Sequence, residues 1–188
     1  SYNELARMDS KDPVFLEYLE REAFLLSRLS AQIEFTRLYE ELGVKGAVWI
    51  HLESLIQKLS QSFPQITIEV DPEVGHYEIF VDPLIEKVFY NLFDNAIRHG
   101  EHVTHVHINA SEQDNILNVS IADNGAGVAD EDKEQIFARG YGKNTGLGLF
   151  LVREILSITD ISIIENGKKG EGACFVMSVP NVHYRKIS

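Results

Sequence analysis

The chain has 188 residues, 44% hydrophobic and 24% charged, enough to build a real core in one domain, or in one domain with a helical appendage. Its formal net charge of -12 excludes the basic footprint of a nucleic-acid binder, so a bound nucleotide must find positive charge gathered locally or brought by a metal. The single cysteine, Cys174, excludes an internal disulfide and suits a cytoplasmic setting, and no apolar run is long enough to span a bilayer, so no direct membrane contact is expected even if the parent protein is membrane-anchored.

The sequence opens without Met in a helical pattern, as an excised fragment would. A short helix is expected to end near residues 9–13, where Asp12 can cap the next helix and Pro13 suits its first position. The second helix runs from about Pro13 to Leu42. Leu19, Leu26 and Ile33 recur every seven residues, with Leu29 and Thr36 on a second track. Two readings fit: a bundle seam in a helical hairpin that dimerises, or an amphipathic helix packed on its own domain. The boundary falls at Gly43-Val44-Lys45-Gly46 and divides the chain into 1–43 and 44–188.

Beyond it, strands and helices alternate. Helices are expected over Trp49 to Leu59, Pro83 to Ile97, and from Gly146 to Ser157. Strands are expected over Gln65 to Val70, Tyr77 to Val81, Val103 to Ala110, Ile116 to Ala122, Ile161 to Ile164 and Ala173 to Val179. The pattern predicts an α/β fold: a two-layer sandwich with a mixed, antiparallel-rich sheet and helices on one face, preceded by the helical hairpin.

Three segments carry chemistry. In Asn91-Leu92-Phe93-Asp94-Asn95-Ala96-Ile97-Arg98-His99-Gly100, Asn91 and Asn95 are four apart and share a helix face. Lys87 precedes them and Arg98 follows, while Val88, Leu92 and Ala96 make the apolar side. Neutral oxygens beside cations suit a magnesium ion that carries phosphates. In Asp123-Asn124-Gly125-Ala126-Gly127-Val128, an aspartate ends a strand, where it can accept a hydrogen bond from an exocyclic amine such as that of adenine. The glycines allow close approach of the backbone to a flat ligand. A calcium loop is excluded by Gly125 and Gly127 at ligand positions, and a dinucleotide fingerprint by Asp130. In Gly140-Tyr141-Gly142-Lys143-Asn144-Thr145-Gly146-Leu147-Gly148-Leu149, free N–H groups at a helix start offer a phosphate site, with Lys143 as a point charge. It is not a P-loop, because Asn144 follows Lys143 and Phe137 stands where the first glycine belongs.

In this order and spacing, the segments resemble the GHKL (Bergerat-fold) ATP-binding superfamily over about residues 45 to 180. Phe137 resembles the phenylalanine box of sensor histidine kinases, and the region before Gly43 resembles part of their dimerisation and phosphotransfer hairpin. The resemblance implies an ATP site with magnesium at Asn91 and Asn95, phosphate contact at Arg98 and His99 bordering the nucleotide. Asp123 would read the adenine, beside Gly125, Gly127 and Val128. A lid over about 138–145 would bring Lys143 and Thr145, followed by Gly146, Leu147 and Gly148. It also implies a homodimer through the N-terminal helices and a response-regulator receiver domain as partner.

One position separates the branches. ATPases of the gyrase, Hsp90 and mismatch-repair type, and anti-sigma serine kinases, carry a glutamate base where this chain has Asn91. An amide cannot take that proton, whereas a histidine acceptor is already nucleophilic near neutral pH. None of the seven histidines stands in the family's acceptor pattern, so the acceptor is expected upstream of Ser1 and the chain should not phosphorylate itself. His102, His105 and His107 do not share one strand face, which argues against a metal site there. The alternative is a nucleotide-gated interaction module without transfer chemistry.

Overall fold

The computed structural model describes residues 13–142 and 145–187; the expected short helix over 2–8 and the Asp12 cap lie outside them. Helix α1, Pro13–Glu41, ends where Gly43 takes a φ of 69°, a left-handed value that glycine adopts without a Cβ clash. Its last third packs on the elements that follow. Phe35 and Leu38 are buried there, and the Phe35 ring lies 6.0 Å from that of Phe150. The seven-residue track divides: Leu19 is buried, whereas Leu26 and Ile33 are 51% and 70% exposed. One stretch of the helix is docked and another is bare.

Where one helix was expected from Trp49 to Leu59, the chain forms strand β1, Val48–His51, then helix α2, Leu52–Ser60. Val48, Trp49 and Ile50 are β-branched or aromatic and suit a pleated surface. Their partners come from β3, with Trp49 opposite Phe80. The His51 ring caps the helix by accepting the Ser54 N–H at 3.2 Å. The next elements are β2 (Thr67–Val70), β3 (Tyr77–Val81), α3 (Ile85–His99), β4 (His105–Gln113) and β5 (Ile116–Asp123). They are followed by α4 (Gly148–Ser157), β6 (Ser162–Glu165), β7 (Cys174–Pro180) and β8 (Tyr184–Lys186).

Two sheets result. The larger has the order β2-β4-β5-β7-β6; β2 runs parallel to β4 and the other pairs are antiparallel. Period-two alternation buries Val106, Ile108, Leu117, Val119, Ile121, Phe175 and Met177 on one face and leaves His105 and His107 exposed on the other. Helices α3 and α4 lay Val88, Phe89, Leu92, Phe93, Val152 and Ile155 onto the apolar face, each such side chain contributing about 1.5–3 kcal/mol by leaving water. This is the expected sandwich, with helices on one face. The smaller sheet, β1-β3-β8, was not expected. Its last strand is three residues long, too short to show alternation. Tyr184 ties the sheets together, donating its hydroxyl to Glu112 at 2.9 Å; burial, then that carboxylate, push its pKa up to about 12.

Asp82 joins α1 to α3. It is 1% exposed, and its carboxylate accepts Leu84 N–H at 2.8 Å and Gly43 N–H at 3.2 Å.

Candidate functional site

Helix α3 has its rotation fixed by burial of Val88, Phe89, Leu92, Phe93 and Ala96. The opposite stripe therefore faces a cavity of about 1110 Å³ whose wall includes Lys87, Asn91, Asp94, Asn95, Arg98 and His99. Arg98 Nε donates to the Asp94 carboxylate at 2.7 Å, which raises the guanidinium pKa above its ordinary value and keeps the cation at the rim. Asn95 Nδ2 is buried without a hydrogen-bond partner among the described residues. An orphaned amide on a cavity wall is costly unless a ligand completes it. Since the two ends of an amide exchange by a flip of the group, its oxygen can serve as readily as its nitrogen.

Asp123 closes β5 on the same cavity. Its Oδ1 accepts Gly125 N–H at 2.8 Å and Ala173 N–H at 3.1 Å, so one carboxylate oxygen orients the group and the other is left for a ligand. Gly127 and Val128 reach the wall; Gly125 does not. A Cβ on Gly125 would lie 2.6 Å from the Gly100 carbonyl, and one on Gly127 would lie 2.6 Å from that of Lys168. The close approach that these glycines permit is thus between chain segments.

The third segment forms the far wall. Gly140 N–H donates to Gly146 O at 3.0 Å, closing the loop at its base, and Gly142, Thr145, Gly146, Leu147 and Gly148 line the cavity. Lys143 lies outside the described residues. Among the described residues no side chain caps the start of helix α4, so its first N–H groups are available to an anion. A Cβ on Gly148 would sit 3.4 Å from Asn91 Oδ1; the uncapped helix start and the asparagine stripe are neighbours. Phe137 stands behind this wall. It is 2% exposed, packs edge-on against Phe175 with centroids 6.1 Å apart, and carries the Arg153 guanidinium 4.3 Å from its ring centroid.

Several wall residues had no signal in the sequence. Tyr141 donates its hydroxyl to Asp132 at 2.5 Å, which raises the phenol pKa and ties the loop to the segment before Phe137. Tyr90 and Lys169 also border the space, and one side is α1 itself, through Phe24, Arg28, Glu34 and Phe35. These meet across turns and between elements, where periodicity says nothing. Charge on the described wall is balanced: Arg28, Lys87, Arg98 and Lys169 stand against Glu34, Asp94, Asp123 and Asp132. Other histidines have structural partners. His51 lies 3.1 Å from Gly75 O, His107 lies 2.9 Å from Asp71, and His105 lies 2.7 Å from Thr104 Oγ1.

Residues 80–183 match the family described as histidine kinase-, DNA gyrase B-, and HSP90-like ATPase. The sensor-like histidine kinase SenX3 of Mycolicibacterium smegmatis is 26% identical over 94% of this chain and 50% of its own length. The adaptive-response sensory kinase SasA of Crocosphaera subtropica is 30% identical over 88% of this chain and 40% of its own. The chain thus spans half or less of these curated relatives. Among solved structures, full-length ShkA in complex with AMPPNP aligns with a TM-score of 0.69 at 22% identity, over 95% of this chain and 40% of that one. The Acinetobacter baumannii histidine kinase AdeS aligns at 0.66 and 22% identity, over 95% of this chain and 91% of its own. At these identities the likeness is one of fold.

Proposed function

Because the chain belongs to the histidine kinase-, DNA gyrase B- and HSP90-like ATPase family, we propose that it is the ATP-binding catalytic domain of a two-component sensor histidine kinase. The domain spans 44–188, and residues 1–43 are part of its dimerisation and phosphotransfer helices. The observation that carries this reading is the convergence of Asn91, Asn95 and Arg98, the free side of Asp123 and the uncapped start of α4 on one cavity.

ATP is the substrate. Asp123 holds the exocyclic amine of the adenine, Val128 and Gly127 flank the base, and His99 borders the nucleotide. The first N–H groups of α4, together with Thr145, Gly146, Leu147 and Gly148, receive phosphate oxygens, with Arg98 and Lys143 as cations and Phe137 as the prop behind the loop. The balanced wall leaves most of the triphosphate charge unmet, and Asn91 and the orphaned Asn95 amide fit a magnesium ion. Bound there, it would neutralise phosphate charge during transfer. Asn91 supplies no general base, which favours a histidine acceptor over water or a serine hydroxyl. The phosphoryl group passes to a histidine outside this chain, and from it to a response-regulator aspartate. The bare apolar stretch of α1 supports a homodimer.

Calorimetry with AMPPNP, with and without Mg²⁺, tests the site. Magnesium-dependent binding weakened about tenfold or more by Asp123→Asn and by Asn95→Ala is expected. Label should pass from ATP to a separately supplied acceptor helix, and not to the chain alone. Absence of binding in every condition would refute the reading.

A further inference from the structure

Glu165 ends β6 with its side chain wholly buried. A carboxylate in such a place is costly unless its oxygens are satisfied. Oε1 accepts two backbone donors, Gly167 N–H at 2.9 Å and Cys174 N–H at 3.0 Å. Among the described residues Oε2 has no hydrogen-bond partner, and it lies 3.7 Å from Lys133 Nζ. That ammonium donates to the Gly167 carbonyl at 2.6 Å and pairs with Asp130 at 2.9 Å. Carboxylate and ammonium thus hold the two sides of Gly167, and the carboxylate also reaches the first residue of β7.

The turn so clamped, residues 166–173, is the one on which the Asp123 turn rests. Asp123 N–H donates to Ala173 O at 2.9 Å, and Ala173 N–H returns to Asp123 Oδ1 at 3.1 Å. Gly170 N–H donates to Ala126 O at 2.7 Å. The contact is so close that a Cβ on Gly172 would overlap the Asp123 carbonyl. Ala173 immediately precedes Cys174, whose N–H Glu165 holds, so a shift at Glu165 moves the donor that orients Asp123.

We propose that Glu165, assisted by Lys133, is a positioning residue for base recognition: it clamps the 166–173 turn and thereby aims the Asp123 carboxylate at the exocyclic amine of the purine. This rests on the nucleotide reading given above. The readout is discrimination between two probes, AMPPNP and its inosine counterpart, each titrated with Mg²⁺ by calorimetry into the whole chain. Inosine carries an oxygen acceptor where adenine carries the amine, so an aimed carboxylate rejects it.

Wild type should prefer the adenine probe by at least about tenfold. Glu165→Ala should collapse that preference to about two- to threefold or less, because Gly167 and Cys174 lose their acceptor. Glu165→Gln keeps an acceptor oxygen and should retain most of it. Lys133→Met should reduce it by about threefold. A purely structural role would weaken both probes together; a ratio that stays at the wild-type value in Glu165→Ala overturns the proposal. If Glu165→Ala does not fold, Lys133→Met decides by the same ratio. A wild-type chain that binds both probes equally overturns the aiming role alone, whereas one that binds neither overturns the nucleotide reading and this proposal with it.

Discussion

At Gly172 the fold admits no side chain. Its φ is 117° and the Asp123 carbonyl occupies the space of a Cβ, so Gly172→Ala meets a strained backbone and a clash together. A loss of about 3 kcal/mol is expected by chemical denaturation, with a parallel fall in AMPPNP affinity, because the displaced atom belongs to the residue proposed to read the base. Asp71 illustrates a charge effect. Hydrogen bonds from Asn109, then His107, hold its carboxyl below the usual range. The ionised form is therefore favoured in the folded state. Its contribution is complete above the ordinary carboxylate pKa of about 3.9 and disappears as pH falls through the lowered value. The Tm gap between wild type and Asp71→Ala should be full at pH 7 and begin to close below about pH 4.

Among the elements, α3 was the most legible, because its apolar residues and its amides follow one helical period on opposite faces. β4 and β5 were legible by alternation. Strand β1 was not: Trp49-Ile50-His51 runs into α2 without a breaker, and the strand exists because β3 lies beside it. The asparagine stripe and the Asp123 turn could be read locally, whereas the Asp132–Tyr141 tie and the clamp at Glu165 join residues that only the fold brings together. The same holds for the docking of α1. Phe35 stacks on Tyr39 at 5.6 Å, meets Phe150, and lies under the Arg139 guanidinium at 5.7 Å. Tyr39 OH donates to Glu154 at 3.4 Å, and Lys87 pairs with Glu34 at 3.5 Å. Phe35→Ala should cost about 3 kcal/mol and speed hydrogen exchange over residues 34–41 while leaving α3 protected.

For the whole molecule, the outer stretch of α1 makes a prediction about the solution state. Tyr18, Leu25, Leu29 and Ile33 are 68%, 52%, 60% and 70% exposed, more contiguous apolar surface than a monomer usually leaves in water. Self-association through this helix is expected by light scattering. Replacing Leu29 and Ile33 together by lysine should yield a monomer whose nucleotide affinity is unchanged, since neither residue borders the cavity.

In the larger sheet β7 lies between β5 and β6, so a strand made late in synthesis fills the interior. Until residues 174–180 leave the ribosome, β5 has an open edge opposite its β4 pairing, a template for wrong partners. Asp123 also waits, because Ala173 supplies two of its backbone contacts. A ligand stabilises only the form that binds it; a nucleotide can therefore secure the finished site but not one whose Ala173 contacts have yet to form.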